Sequence, residues 1–214
     1  MALDGLPFIG AAGLILIILG VIASFTESNI IWGFTYAEAL LLLFIIFFFR
    51  DPDRVTPEGE GLVISAADGK VVLIKEVSFP ELSDEKLIQV SVFLSVFNVH
   101  VNRIPVSGVV DEIKYYPGKF LAAWNEKASL ENEQTLISID TGTKKIYFKQ
   151  IAGLIARRIV WKLESGQSVR AGERFGLIRF GSRVDILLPL NSEIRVKVGD
   201  KVKGGETVIG VIDV

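Results

Sequence analysis

His100 is the single histidine of this chain, and the chain has no cysteine. Acid–base work near neutral pH falls first to that imidazole, while disulfides, thiolate zinc sites and a cysteine nucleophile are excluded. Ser182 follows Gly181 in the string Arg179-Phe180-Gly181-Ser182-Arg183-Val184-Asp185-Ile186-Leu187-Leu188-Pro189. A serine hydroxyl is a nucleophile when a base accepts its proton. Asp68, in Ser65-Ala66-Ala67-Asp68-Gly69-Lys70-Val71, adds a carboxylate. Each of these has an ordinary structural reading when taken alone. Gly-Ser and Asp-Gly pairs are commonly turns, and a lone histidine in the apolar run Phe93-Leu94-Ser95-Val96-Phe97-Asn98-Val99-His100-Val101-Asn102-Arg103-Ile104-Pro105 is commonly a hydrogen-bonded packing residue. No resident metal is expected.

The elements that must position these groups fall into two textures. Residues 1–49 contain no lysine or arginine, only Asp4, Glu27 and Glu38 as acids, and seven of the 14 phenylalanines. Two apolar segments, Leu6 to Phe25 and Ile30 to Phe49, are each about the 20 residues that cross a hydrocarbon core as helix. A membrane hairpin is expected, ahead of a signal peptide, because no basic stretch precedes the first segment. Arg50 and Arg54 follow the second segment while the connecting Thr26-Glu27-Ser28-Asn29 has no positive charge, so the positive-inside rule places residue 50 onward in the cytoplasm. Glu38, inside the second segment, requires protonation or pairing within the hairpin.

From residue 50 the charges nearly cancel, with 22 acidic against 23 basic residues, and no polybasic surface is available for nucleic acid. Short β-branched runs punctuated by glycine predict strands at Leu62 to Ser65, Lys70 to Val77, Ile88 to Leu94, Gly108 to Tyr115, Gln134 to Asp140, Lys144 to Gln150, Glu173 to Phe180, Val184 to Leu188, Ile194 to Val196 and Thr207 to Ile212. Helices are expected near Gln150 to Val160 and Phe120 to Leu130. The strings Ala67-Asp68-Gly69-Lys70-Val71-Val72 and Val106-Ser107-Gly108-Val109-Val110, and again Val169-Arg170-Ala171-Gly172-Glu173 and Val202-Lys203-Gly204-Gly205-Glu206, form a weak internal repeat. They resemble the hammerheads of lipoyl-type and biotinyl-type sandwiches. Such turns report architecture and leave function open.

Together these strings resemble the short, membrane-bound phosphatidylserine decarboxylases. The likeness rests on Phe48-Phe49-Arg50-Asp51-Pro52-Asp53-Arg54, the Ala-Asp-Gly element at Asp68, the stretch around His100, Gln150-Ile151-Ala152-Gly153-Leu154-Ile155-Ala156-Arg157-Arg158, and the string around Gly181-Ser182. It implies that the chain breaks between Gly181 and Ser182 into a β chain, 1–181, and an α chain, 182–214, and that Ser182 becomes a pyruvoyl cofactor. It further implies that Asp68 orients or charges the base, that His100 moves protons, and that the substrate is a serine phospholipid, phosphatidylserine or archaetidylserine. A homodimer is also implied. Longer bacterial members carry a second histidine three positions on, where this chain has Arg103. One imidazole then serves cleavage and decarboxylation, or Asp68 and backbone groups promote cleavage without it. Arg157 and Arg158 read equally as exposed arginines or as a phosphate clamp.

The expected architecture is an N-terminal transmembrane helical hairpin, 1–49, and a mainly β catalytic domain, 50–214, with lipoyl- or barrel-sandwich-like hammerhead elements. A non-enzymatic, membrane-anchored lipoyl-like adaptor is the alternative, although no carrier lysine motif is present. A soluble pyruvoyl-dependent amino-acid decarboxylase predicts no apolar hairpin.

Overall fold

The computed structural model describes residues 1–80, 82–83, 85–118, 132–153, 159–178 and 182–213. Two compact units are present, Met1–Pro52 and Asp53–Val214.

In the first unit a short 3-10 turn, Leu3–Gly5, leads into α1, Leu6–Thr26, and α2 runs over Asn29–Phe48. Both are apolar on every side. Leu14, Ile17, Leu40 and Leu43 are exposed, which suits helices surrounded by lipid rather than water. Each has the length and composition to cross a bilayer. Glu27 in the left-handed conformation, with φ at 51°, stops α1 and reverses the chain. At the far end the Ala2 N–H donates to the Phe49 carbonyl at 2.9 Å. Gly5 packs there directly on the Phe49 ring, where a Cβ would come within 2.5 Å of Phe49 Cγ.

The second unit is built from β1 (Leu62–Ile64), β2 (Gly69–Val77), β3 (Leu87–Leu94), β4 (Val101–Arg103), β5 (Gly108–Tyr116), β6 (Gln134–Asp140), β7 (Lys145–Ala152), β8 (Ile159–Trp161), β9 (Ser168–Val169), β10 (Arg174–Ile178), β11 (Ser182–Pro189), β12 (Glu193–Ile194), β13 (Lys201–Val202) and β14 (Val208–Val211). All pairings are antiparallel. They form one curled sheet in the order β13-β2-β3-β11-β7-β6-β5-β9 and two three-stranded sheets, β1-β14-β12 and β4-β10-β8. The inner face of the large sheet contributes Val90, Val92, Leu94, Ile137, Ile139, Phe148, Val184, Ile186 and Leu188 to a core that Val63, Ile159, Phe175, Ile178 and Ile209 of the small sheets complete. Burying each such aliphatic side chain is worth about 1.5–3 kcal/mol.

The weak repeat of the sequence is a twofold relation within the large sheet. Strands β13, β2, β3 and β11 correspond to β9, β5, β6 and β7 in the mirrored order. Both β2 and β5 carry a register shift that begins two residues after the opening glycine, at Val71/Leu73 and Val110/Glu112. Gly172 and Gly205 occupy matching turns with φ of 86° and 81°, values that favour glycine. Gly69 and Gly108 open β2 and β5 so close to a neighbouring strand that a Cβ would lie 2.2 Å from the Phe93 carbonyl and 2.3 Å from the Asp140 carbonyl, respectively.

One expectation is corrected. The helix expected over Gln150 to Val160 is not formed at either end: Gln150 and Ala152 complete β7, and Ile159–Trp161 is β8. An apolar run of this length suits a buried strand as well as a buried helix, and pairing with β11 decides it, Gln150 opposite Val184 and Ala152 opposite Ser182. Residues 154–158 and the expected helix at Phe120 to Leu130 lie outside the described residues.

Candidate active site

Ser182 is the first residue of β11 and sits directly between Leu94, the last residue of β3, and Ala152, the last residue of β7. Central placement buries β11 on both faces. Ser182 has no exposed surface, and its Oγ has no hydrogen-bond partner among the described residues. A buried hydroxyl in that condition costs about 1–3 kcal/mol, and such groups in native folds call for an explanation. Gly181 lies outside the described residues.

The chain reaches His100 from the same strand end. After Leu94, a tight turn is closed by the Asn98 side chain, which accepts from the Ser95 N–H at 2.9 Å and the Ser95 hydroxyl at 2.7 Å. His100 follows, 2% exposed, with Nδ1 2.9 Å from the Asn98 carbonyl. A carbonyl only accepts, so Nδ1 carries the hydrogen and the neutral ring has its basic lone pair on Nε2. Beyond it, β4 pairs with β10, Val101 opposite Leu177, which sets His100 beside Ile178, four residues before Ser182.

Strand parity sets the faces on which these groups lie. His100 and Asn102 lie on one face of the β4 segment, and Ser182, Val184, Gln150 and Ala152 lie on one face of the large sheet. Gln150 Nε2 donates to Asn102 Oδ1 at 2.8 Å, joining these faces, and Thr135 Oγ1 donates to Gln150 Oε1 at 2.9 Å. Thr135, Gln150 and Asn102 are all fully buried. This polar chain was not anticipated from the sequence. In the sequence Thr135, Gln150 and Asn102 each stand beside another polar residue, Gln134, Lys149 and Arg103, and no period marks them out.

Asp68 is held differently from its expected role. Its Oδ1 accepts from the Gly204 N–H at 2.8 Å, and its Oδ2 accepts from Arg54 at 2.9 Å, with no bond to His100. The first of these is architectural, since Ser107 Oγ accepts from the Ala171 N–H at 2.9 Å in the matching hammerhead. By register, Gly69 lies opposite Leu94, so Asp68 is one residue beyond the row that contains Ser182. Neighbouring strands are about 4.8 Å apart, which leaves the Asp68 backbone about 10 Å from that of Ser182. Arg54 is not an exposed basic residue of a membrane edge; it is 9% exposed and also meets Glu206 at 3.4 Å.

Arg103 points to the face of β4 away from His100 and donates to the Gly172 carbonyl at 2.9 Å, so a structural group fills the position of the absent second histidine. The outer face of the large sheet carries another buried cluster. Arg183 Nε bonds Asp185 at 2.6 Å, Arg183 Nη2 donates to Ser91 Oγ at 2.7 Å, and Gln89 Nε2 donates to Asp185 Oδ2 at 2.9 Å. Nearby, burial pushes the Tyr147 phenol above its usual range. A surface cleft of about 470 Å³, lined by Glu58, Leu62, Ser107 and Arg170 among others, includes none of Asp68, His100 or Ser182. Arg157 and Arg158 lie outside the described residues.

A buried serine with no partner among the described residues and a tautomer-fixed histidine make up the candidate site, and comparison with known proteins gives the family. Residues 41–210 match the family model for phosphatidylserine decarboxylase. The chain belongs to the phosphatidylserine decarboxylase family. It is 49% identical over 209 residues to a protein of Wolbachia sp. subsp. Brugia malayi (strain TRS), covering 95% of this chain and 91% of that one, and 45% identical over 214 residues to a protein of Geotalea uraniireducens (strain Rf4), covering 99% and 96%. Both are named phosphatidylserine decarboxylase proenzyme. Family membership makes this chain a decarboxylase and sets aside the adaptor alternative.

Proposed function

We propose that this chain is a proenzyme that cuts itself between Gly181 and Ser182, converts Ser182 to a pyruvoyl group, and decarboxylates phosphatidylserine to phosphatidylethanolamine at the cytoplasmic face of a membrane. The observation that carries this reading is the fully buried Ser182 Oγ, which has no hydrogen-bond partner among the described residues. A hydroxyl relieved of hydrogen bonds is ready to attack, and it occupies the residue whose amide bond must break.

In this reading His100 accepts the Ser182 proton at Nε2 while its Nδ1 stays bonded to the Asn98 carbonyl. Attack on the Gly181 carbonyl exchanges the peptide bond for an ester. Elimination of that ester and hydrolysis, with loss of ammonia, leave the keto group at 182. The pyruvoyl group supplies an electron sink for loss of CO2, the part that pyridoxal phosphate plays elsewhere. His100 then returns a proton to the carbon that lost CO2, so one imidazole serves both stages. Asp68 takes a positioning part: through Arg54 and Gly204 it fixes the start of β2 beside the Leu94–Ser182 row. The apolar hairpin keeps the domain where a two-chain lipid presents its headgroup.

Intact mass of the purified chain tests the proposal. The expected result is two fragments meeting between 181 and 182, the smaller without a free N-terminal amine. Ser182→Ala is expected to stay full length and inactive. A wild-type chain that remains uncut after prolonged incubation, or a Ser182→Ala chain that is cut normally, overturns it.

A further inference from the structure

We infer that Asn102 is a catalytic residue of self-cleavage, its side-chain N–H donating to the oxyanion that forms on the Gly181 carbonyl when Ser182 attacks. The inference rests on the proposed conversion of Ser182. In the uncut chain Asn102 is fully buried, and its Nδ2 has no hydrogen-bond partner among the described residues. The amide is not free to turn. Gln150 donates to its Oδ1 at 2.8 Å, and Gln150 is itself aligned by the Thr135 hydroxyl at 2.9 Å. Thr135 is opposite Gln150 across β6 and β7, so the relay is anchored in two strands of the large sheet. Donors run in one direction along it, each bond polarising the next, and the last donor is Asn102 Nδ2.

That donor belongs to the interior of Ser182 and His100. Gln150 is opposite Val184, and Ser182 is two residues along on the same face, a diagonal neighbour at about 7–8 Å between Cα atoms. Asn102 is two residues from His100 on one face of the β4 segment. Among the described residues, Phe148, Ala152, Phe175, Ile178, Val184 and Ile186 of the same core cluster offer no side-chain acceptor. A fixed donor in an apolar, water-excluding site is what stabilises charge that appears only in a transition state.

The step balances as follows. Ser182 Oγ bonds to the Gly181 carbonyl carbon and its proton passes to His100. The carbonyl π pair moves onto oxygen, where Asn102 Nδ2 donates to it. As that pair returns, the C–N bond breaks onto the Ser182 nitrogen, which takes the proton from His100.

Cell-free synthesis of the full chain into phosphatidylglycerol vesicles, with a gel time course of the precursor, tests this. Asn102→Ala is expected to slow cleavage by about 10²–10³-fold, the loss typical of one oxyanion donor. Asn102→Asp, which keeps the shape but replaces the donor with an acceptor, should cleave no faster than Asn102→Ala. Gln150→Ala, which frees the amide to turn, should slow cleavage by a smaller factor of roughly 10. Cleavage of Asn102→Ala or Asn102→Asp within about threefold of wild type overturns the inference. So does slow cleavage by an Asn102→Ala precursor that melts far below the Ser182→Ala precursor, since Asn102 is then a packing residue. Failure of the wild-type chain to cut at all refutes instead the proposed conversion of Ser182.

Discussion

The hydrogen bond from His100 Nδ1 to the Asn98 carbonyl is a small feature with a large consequence. It fixes the tautomer with a backbone group, so the ring needs no carboxylate partner to keep Nε2 basic. Asp68 is accordingly free for another task, and it spends its two oxygens on Gly204 and Arg54. This arrangement argues that one imidazole carries both proton transfers. His100→Ala is therefore expected to remain full length at times when the wild-type chain is fully cut, as read by intact mass. Cleavage of this variant at the wild-type rate would confine His100 to decarboxylation.

Among the elements, β11 carries the most. It pairs along most of its length with both β3 and β7, presents Ser182 to the inner core, and presents Arg183 and Asp185 to the outer face. The Arg183–Asp185 pair is 1% exposed on either side and is bonded further to Ser91 and Gln89. Such a pair adds little net stability when intact, but breaking it strands a charge in a low dielectric. Asp185→Ala, made in the uncut Ser182→Ala background, is expected to lose roughly 3–5 kcal/mol, measured by denaturant unfolding of the detergent-solubilised chain. An unchanged midpoint would show that Arg183 finds another partner. The hammerheads at Gly172 and Gly205 serve the same strand from either side, by holding the ends of β5 and β2 and so the curl of the sheet.

For the whole molecule, the topology sets what the proposed self-cleavage can release. Residues 182–213 supply β11 between β3 and β7, β13 against β2, and β14 against β1. Every one of these partners lies in 1–181, and Val184, Ile186, Leu187 and Leu188 are fully buried. The two fragments should therefore elute together in native detergent buffer and separate only in strong denaturant. Separation of the small fragment without denaturant would contradict the strand order. The large fragment of the proposed cut form also contains the two apolar helices, and β-pairing and the shared core hold the small one to it.

Much of this was legible in the residues themselves. Two apolar runs of about 20 residues without a basic side chain suit helices that cross a bilayer, and alternating β-branched runs cut by glycine specify strands by local sterics and period. The lone histidine and the Gly-Ser pair carried the expectation of where chemistry belongs. Local pattern failed where a neighbour decided the outcome. Gln150 to Ala152 became strand because β11 offered a hydrogen-bonding edge, and Arg54 became a buried partner because Asp68 and Glu206 waited across a fold that sequence spacing does not encode. Thr135 and Gln150 meet across the β6–β7 pair, and Asn102 joins them only when β4 of a small sheet closes onto the large one. Sequence alone thus determined the two apolar helices, most of the longer strands and the residue types expected to carry chemistry, because propensity, hydrophobic period and side-chain reactivity are local properties. Tertiary structure decided which groups share one dry interior and which are tied elsewhere, because burial and hydrogen-bond partnership depend on strands brought together from distant parts of the chain.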